Sequence, residues 1–372
     1  MGEKERNHDK EKMRTGYTTG TCATATAKAA LVALITGEEQ LTATINLPVG
    51  KSATIEMQSC ILKSNYAEAS TMKDAGDDPD ATHGALITAT VRWSKQPGIK
   101  LEGGVAVGRV TKEGLPIPVG EAAINPVPRK MILETAEEVM RSFEIHRGIS
   151  ITISVPDGEK IAEKTLNTRL GIIGGISILG TRGIVIPFSS SAYMASIIHA
   201  IKVARANGCD HVVISTGGRS EKYGMLQYPL LPEEAFIEMG DFVGFTLKQC
   251  KKQGIRTVSL VGMMGKFSKL AQGEMNVHSK SSSVDFHFLT EIAKKAGVKD
   301  RQLLHQVMKA NTASQVGDLM LKHDYKTFFN IICQYCCENG LKEVGGGIEV
   351  ETSLFTLKGA LLGKAGIDGC ED

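Results

Sequence analysis

The sequence has few aromatic residues and almost no net charge. Aromatic residues make up 5% of its 372 residues, with one Trp, and the formal net charge is +2. Stacking on nucleic-acid bases needs aromatic side chains, and general attraction to nucleic acids or anionic membranes needs a basic surface. We therefore expect neither partner. No apolar run in the sequence reaches the roughly 18 residues that span a membrane.

The first 13 residues form a charged run without an apolar core. Such a run is typical of a disordered tail and is neither a signal peptide nor a membrane anchor. Eight cysteines are scattered along the chain, which favours reduced thiols and a cytoplasmic protein. Cys333, Cys336 and Cys337 lie in an apparent helix, without further ligands at the spacing of a zinc or iron–sulfur site. We expect buried free cysteines here and no protein metal site.

The length of the chain favours about two domains. Apolar and polar residues alternate at 41–63 and 84–93, as in half-buried strands, and apparent helices lie on either side of them. This predicts an α+β domain over residues 14–150. Residues 345–372 contain a late strand that is expected in the second domain or packed back on the first.

Residues 151–372 alternate short apolar strands with helices. The strands expected at 184–187, 211–216 and 257–262 are apolar on both faces, as in a parallel sheet covered on both sides. The fold class is therefore α/β, with a mostly parallel, Rossmann-like sheet and helices on both faces. The helices of this domain are expected at 190–206, 232–252, 284–296, 300–309 and 325–339.

Glycine-rich turns follow the apolar strands of the second half. Gly217 and Gly218 come directly after one strand, and residues 262–278 follow another with Lys266 and Lys269 at a helix start. A strand, a glycine turn and a helix N-terminus form an anion site in many α/β proteins. A third glycine-rich block lies at 171–183. One such turn alone is more readily explained as a tight connection, but three in one region favour a ligand cleft; the nucleotide P-loop pattern is absent.

The segment 73–84 concentrates aspartates and ends in a histidine and a glycine. Such a turn holds a divalent cation, serves as acid and base, or is simply solvated. Near the N-terminus, Thr18 and Thr19 precede a helix of small residues. Threonine caps helix starts, and the free N–H groups there suit a carboxylate. Packing of a small-residue helix against a sheet is the alternative.

Six short motifs follow one another along the chain. They are Arg14-Thr15-Gly16-Tyr17-Thr18-Thr19-Gly20, Lys73-Asp74-Ala75-Gly76-Asp77-Asp78-Pro79-Asp80, Glu102-Gly103-Gly104, Ala123-Ile124-Asn125-Pro126-Val127-Pro128-Arg129, Ser215-Thr216-Gly217-Gly218-Arg219-Ser220-Glu221 and Gly265-Lys266-Phe267-Ser268-Lys269-Leu270-Ala271. In this order the motifs resemble the CbiD family, and the resemblance extends from about residue 14 to beyond residue 350. Two departures are Val277 before His278, where the family has threonine, and Ala81, where a larger apolar residue is usual.

The resemblance implies methylation of ring carbon C1 of cobalt-precorrin-5B, giving cobalt-precorrin-6A. S-adenosylmethionine is the implied donor, and cobalt arrives within the substrate. The usual methyltransferase glycine fingerprint is absent, so the residues alone do not reveal the donor. We expect the donor at Thr216, Gly217, Gly218, Arg219, Ser220 and Glu221, and the substrate's carboxylates at Thr18, Thr19, Arg129, Lys266 and Lys269.

Methylation at carbon creates a cationic intermediate that loses a proton, and a histidine suits the removal. His278 follows the lysine motif; His83 is the alternative, oriented by Asp74. Otherwise solvent or a substrate carboxylate takes the proton. A different class of function, a non-catalytic corrinoid carrier, fits the same basic loops but has no need for a methyl donor. A homo-oligomer is compatible with the sequence.

Overall fold

The structure of the chain is a computed structural model that describes residues 13–370. These residues fall into two units, one ending at Ser190 and the other beginning at Ser191. Apart from Met13, the expected disordered tail lies outside the described residues.

The first unit combines antiparallel strands with helices that pack on one sheet. The elements are β1 (Gly16–Tyr17), α1 (Thr19–Thr36), β2 (Thr42–Asn46), β3 (Ser52–Glu56), β4 (Ser59–Leu62), β5 (Tyr66–Met72), β6 (Leu86–Ser94), β7 (Ile99–Gly103), β8 (Arg109–Val110), α2 (Pro126–Ser142), β9 (Gly148–Ser154), α3 (Gly158–Ala162), β10 (Ile172–Ile173) and β11 (Ile184–Val185). The main sheet has the order β4-β5-β6-β9-β7, and only its pair β7–β9 is parallel.

The domain boundary expected near residue 150 differs from the one observed. Strand β9 pairs with both β6 and β7, so the first sheet is incomplete without it. The strand expected at 184–187 also belongs to the first unit, because β11 pairs antiparallel with β1. The chain therefore changes units about 40 residues later than the sequence suggested.

Helix α1 is the buried helix of the first unit. It packs against β5, β6 and α2, and Ala and Thr side chains allow this close approach. At the crossing with α2, a Cβ on Gly20 would lie 2.6 Å from Pro128 Cγ, so only glycine fits. Within residues 13–370, α1 alone has the length and composition of a membrane span, where the sequence suggested none, and 78% of it is buried.

The second unit is built around a mixed five-stranded sheet. The elements are α4 (Ser190–Ala206), β12 (His211–Ser215), α5 (Gly218–Gln227), β13 (Phe236–Glu238), α6 (Val243–Lys252), β14 (Thr257–Met263), α7 (Met264–Ala271), α8 (Phe286–Lys295), α9 (Arg301–Met308), α10 (Ala313–Lys322), α11 (Lys326–Val344), β15 (Glu349–Phe355) and β16 (Leu361–Asp368). The sheet has the order β13-β12-β14-β15-β16, in which β16 is antiparallel to β15 and the other pairs are parallel.

The two faces of this sheet are covered unequally. Val212 and Ile214 of β12 join the larger core with residues of α4, α6, α7 and α11. Val213, between them, faces the other way into a smaller cluster with Tyr223 of α5. Helices thus cover both faces, as expected, but the antiparallel edge strand means that the sheet is mixed and a Rossmann-like arrangement is not confirmed. Strands β15 and β16 place residues 345–372 in this unit.

Candidate functional site

The strand order of the second unit predicts a crevice between β12 and β14. The chain runs from β12 to β13 on one side of it, and then to β14 on the other side. Connections that leave a parallel sheet in opposite directions open a crevice at the carboxyl ends of the strands, where α/β proteins bind ligands. The two glycine turns identified in the sequence follow these two strands.

The turn after β12 exposes bare backbone. Gly217 has φ 153° and ψ 164°, a region that essentially only glycine enters. Gly218 begins α5, and a Cβ added there would meet no atom within 4 Å. The hydroxyls of Thr216 and Ser220 lie 3.3 Å apart across the turn. A ligand can therefore approach the main chain at Gly218 without meeting a side chain.

Lys266 joins the loops that follow three parallel strands. It lies in the first turn of α7, and its Nζ donates to Thr216 O at 3.0 Å. The same nitrogen is 3.0 Å from Asp241 Oδ1, in the loop after β13. That buried oxygen has no aligned hydrogen-bond donor, so the contact is an ion pair only. Lys266 thus fixes the spacing of the three loops.

Negative charge collects beside the glycine turn. The pKa of Tyr193 on α4 is raised well above its usual value, first by burial and then by Glu238, Asp241 and Glu221. Its phenol therefore stays protonated and is a hydrogen-bond donor. Glu221 is buried, while Glu238 is exposed at the end of β13. This charge favours a cationic or hydroxyl-bearing ligand over a polycarboxylate.

Lys269 does not join this site. Its side chain is buried, and Nζ donates to Val277 O at 2.9 Å. The expected contact with a substrate carboxylate would require burying that carboxylate and breaking this bond, so the structure assigns Lys269 to fixing the segment after α7. Arg219 lies exposed on the first turn of α5, next to Gly218.

The acidic turn of the first unit is tied together by internal contacts. Arg14 forms a bidentate ion pair with Asp74 and lowers the pKa of that carboxyl to about 2. Asp77 accepts from the main-chain nitrogen of Arg14 at 2.7 Å. Lys73, with 1% of its side chain exposed, donates to Asp80 at 2.6 Å. Among residues 13–370, no group of three or more His, Cys, Asp or Glu side chains is arranged to hold a metal ion.

The two candidate histidines bind main-chain N–H groups in the same way. His83 Nδ1 accepts from Ala75 N at 3.1 Å, and His278 Nδ1 accepts from Lys280 N at 3.0 Å. In the neutral ring the proton then sits on Nε2. Taking up a second proton at Nδ1 would break the main-chain bond, so neither geometry favours a general base. Asp74 Oδ1 is 3.8 Å from His83 Nδ1, close enough to attract the charged ring only.

Thr18 and Thr19 form hydrogen bonds with the third glycine-rich block, residues 171–183. Thr18 caps α1 by accepting from Thr21 N at 3.2 Å, and its own N–H donates to Gly183 O. Leu179 N donates to the Thr19 hydroxyl at 2.9 Å. Residues 177–183 therefore cover the helix start, where the sequence suggested a carboxylate site. This block belongs to the first unit.

Arg129 lies on the first turn of α2 and remains partly accessible. Its Nη2 is 3.3 Å from Glu121 Oε2, and 32% of the side chain is exposed. An exposed pair of this kind contributes little to stability, so the guanidinium is available to a stronger anionic partner.

Sequence reasoning missed Tyr193, Glu238 and Asp241. Tyr193 lies inside a helix, and the other two lie in a segment expected to be a single helix at 232–252. The segment instead forms β13 from Phe236, a turn at Gly240-Asp241, and α6 from Val243. Pro232 before it and Gly240-Asp241 within it were the available signals of these breaks.

The comparisons with known proteins agree on one family. The CbiD model matches residues 6–187, and the model of the CbiD C-terminal domain matches residues 276–366. Proteins named cobalt-precorrin-5B C(1)-methyltransferase match at 67% identity in Geobacillus sp. (strain WCH70) and 62% in Priestia megaterium. These alignments cover 96% and 97% of this chain, and 97% and 98% of those proteins.

A solved structure is also similar. The cobalamin biosynthesis protein (cbiD) from Archaeoglobus fulgidus matches at 24% sequence identity, over 84% of this chain and 85% of that one. The TM-score is 0.39, so the likeness is too weak to support an argument about the fold.

Proposed function

The chain belongs to the CbiD family, and from this premise we propose that it methylates ring carbon C1 of cobalt-precorrin-5B with S-adenosylmethionine as the donor. Relatives at 62–67% identity over nearly their whole length carry the name of this C-methyltransferase activity. Cobalt enters as part of the substrate. Incubating the protein with both substrates should yield a product one methyl group heavier; an unmodified macrocycle recovered in complex would instead indicate the corrinoid carrier.

We place the donor at the crevice between β12 and β14. The observation that carries this proposal is the bare glycine turn at Gly217–Gly218 beside the carboxylates of Glu221, Glu238 and Asp241. The donor carries an ammonium, a sulfonium and ribose hydroxyls, and all three suit negative charge. Its own carboxylate suits the first N–H groups of α5, which have no side-chain cap.

The residues of the crevice hold and orient the ligand. When bound, the donor supplies an electrophilic methyl group on sulfur. Gly217 and Gly218 permit close contact with the main chain, and Lys266 keeps the loops after β12 and β14 at a fixed spacing. Alignment of the reacting atoms and exclusion of water then account for the acceleration. In both His83 and His278, Nδ1 already accepts a hydrogen bond from a main-chain N–H group. We therefore assign proton removal to solvent or a substrate carboxylate.

Replacing Lys266 with methionine should weaken donor binding about tenfold, because Thr216 O and Asp241 lose their common partner and the loops are no longer held together. Calorimetry with S-adenosylhomocysteine measures the change. Lys248→Met is the matched control, since Lys248 is an exposed lysine paired with Glu343 on the outer helices. Equal affinities in the two variants would contradict the role of Lys266.

Replacing Arg129 with alanine should weaken binding of the macrocycle about tenfold while leaving donor affinity unchanged, because one charged hydrogen bond to a substrate carboxylate is lost. Fluorescence or absorbance titration of the macrocycle gives the affinity. Arg141→Ala removes an exposed arginine from the last turn of the same helix and is the control. If both variants bind the macrocycle equally well, Arg129 is an ordinary surface cation.

A further inference from the structure

Glu238 ends the strand next to the glycine turn. Strands β12 and β13 are parallel neighbours, and Glu238 is in register with Ser215, two residues before Gly217. The carboxylate of Glu238 extends toward the glycine turn, because its Oε1 lies 3.8 Å from the position that a Cβ on Gly217 would take. The acid therefore sits directly beside the bare backbone and is accessible to a ligand.

This arrangement is the one that nucleoside-binding βαβ units use. In such units a glycine turn follows the first strand, and an acidic residue about 20 positions later, at the end of the neighbouring strand, accepts hydrogen bonds from the ribose hydroxyls. Here β12, Gly217–Gly218, α5 and β13 supply the strand, turn, helix and second strand, and Glu238 follows at that distance.

The charge around Glu238 favours a ligand with hydroxyl groups over one with carboxylates. Glu221, Asp241 and Glu238 all act on Tyr193, and because Lys266 offsets the charge of Asp241, the negative charge beside this phenol comes from Glu221 and Glu238. The carboxylates of the macrocycle would be repelled there, whereas hydroxyl groups donate to carboxylates. The protonated phenol of Tyr193 adds a donor near the same position.

We propose that Glu238 recognises the ribose diol of an adenosine-containing ligand, and this rests on the donor site of the proposed function. The carboxylate accepts hydrogen bonds from both ribose hydroxyls, so it sets specificity for a ribonucleoside. It is a binding residue for the donor and takes no part in moving the methyl group.

The test compares two nucleosides on two proteins. Adenosine and 2′,3′-dideoxyadenosine are used to displace S-adenosylhomocysteine from the full-length protein and from Glu238→Gln. The wild type should prefer adenosine by about tenfold to a hundredfold, because the diol makes charged hydrogen bonds. In Glu238→Gln this preference should collapse to within a few-fold, with adenosine weakened and the dideoxy compound unchanged.

The control is Glu274→Gln, which neutralises an exposed glutamate of the same unit outside the crevice and should keep the wild-type preference. Melting temperatures check that the variants are folded. If Glu238→Gln keeps the preference for the diol, or weakens both nucleosides equally, the assignment of Glu238 is wrong while the donor site stands. If the wild type binds neither S-adenosylhomocysteine nor adenosine, the assignment and the donor site both fail.

Discussion

Gly218→Val should abolish donor binding and leave the protein folded. The new side chain meets no atom of the protein within 4 Å at its Cβ, so its methyl groups project into the space above the turn that we assign to the donor. The residue begins α5 and does not have a positive φ, and valine has a higher helix propensity than glycine, so the substitution costs the fold little. We expect a loss of about a thousandfold in affinity for S-adenosylhomocysteine by calorimetry, or roughly 4 kcal/mol.

A graded series separates obstruction from unfolding. Gly218→Ala adds a single methyl group and should weaken binding less than valine does. Gly366→Ala adds the same group on β16, where a Cβ meets only ordinary contacts, and should leave donor affinity unchanged. Wild-type affinity in a folded Gly218→Val protein would show that the donor binds elsewhere.

Asp80→Asn should lower the free energy of unfolding by about 3 kcal/mol. Lys73 has 1% of its side chain exposed, and its ammonium lies 2.6 Å from Asp80 Oδ2. The substitution leaves this buried charge without its counter-charge, which is far more costly than losing an exposed pair. Urea denaturation followed by circular dichroism measures the loss.

The same ion pair predicts acid sensitivity with a definite sign. Burial alone would raise the pKa of Asp80, but Lys73 and the hydrogen bonds from Lys73 and Thr82 prevail and lower it. The stabilisation is therefore complete above the ordinary value of 3.8 and is lost as the pH falls below it. Asp77→Asn is the control, because that side chain is exposed and its amide oxygen still accepts from Arg14. Equal stabilities of the two variants would contradict the prediction.

The sequence was most informative where local pattern decides structure. Strands β12 and β14 were predicted because both are apolar on both faces, which only a covered parallel sheet tolerates. Their glycine turns and the helix start at Lys266 follow from the same local pattern, whereas the helix Gly218–Gln227 was not among the expected helices. The crevice could therefore be expected from the sequence, together with the turn at Gly217–Gly218.

Pairing between strands that are far apart in the chain could not be predicted from local sequence pattern. The segment at 184–187 has the composition of a central strand, yet β11 pairs with β1, more than 160 residues earlier in the chain. Strand β13 has only three residues, too few for a period to appear. Because β13 was not predicted, Glu238 was not identified as a site residue. Its position beside Gly217 depends on the pairing of β13 with β12.

The partners of the charged side chains could not be predicted from the sequence either. Lys269 and Lys266 are three residues apart on one helix, yet one is buried on a main-chain carbonyl and the other joins loops at the crevice. Asp74 was expected to orient His83, but Arg14 binds the carboxylate of Asp74, and Ala75 N donates to the imidazole of His83. Only the three-dimensional arrangement decides which partner a charged side chain finds.

The most direct test of the account is a crystal structure of the protein soaked with S-adenosylhomocysteine. We expect the ligand in the crevice between β12 and β14, with its main contact to the backbone at Gly217–Gly218 and its ribose hydroxyls hydrogen-bonded to Glu238. A ligand bound at another site, such as the acidic turn at 73–84, would contradict the central claim.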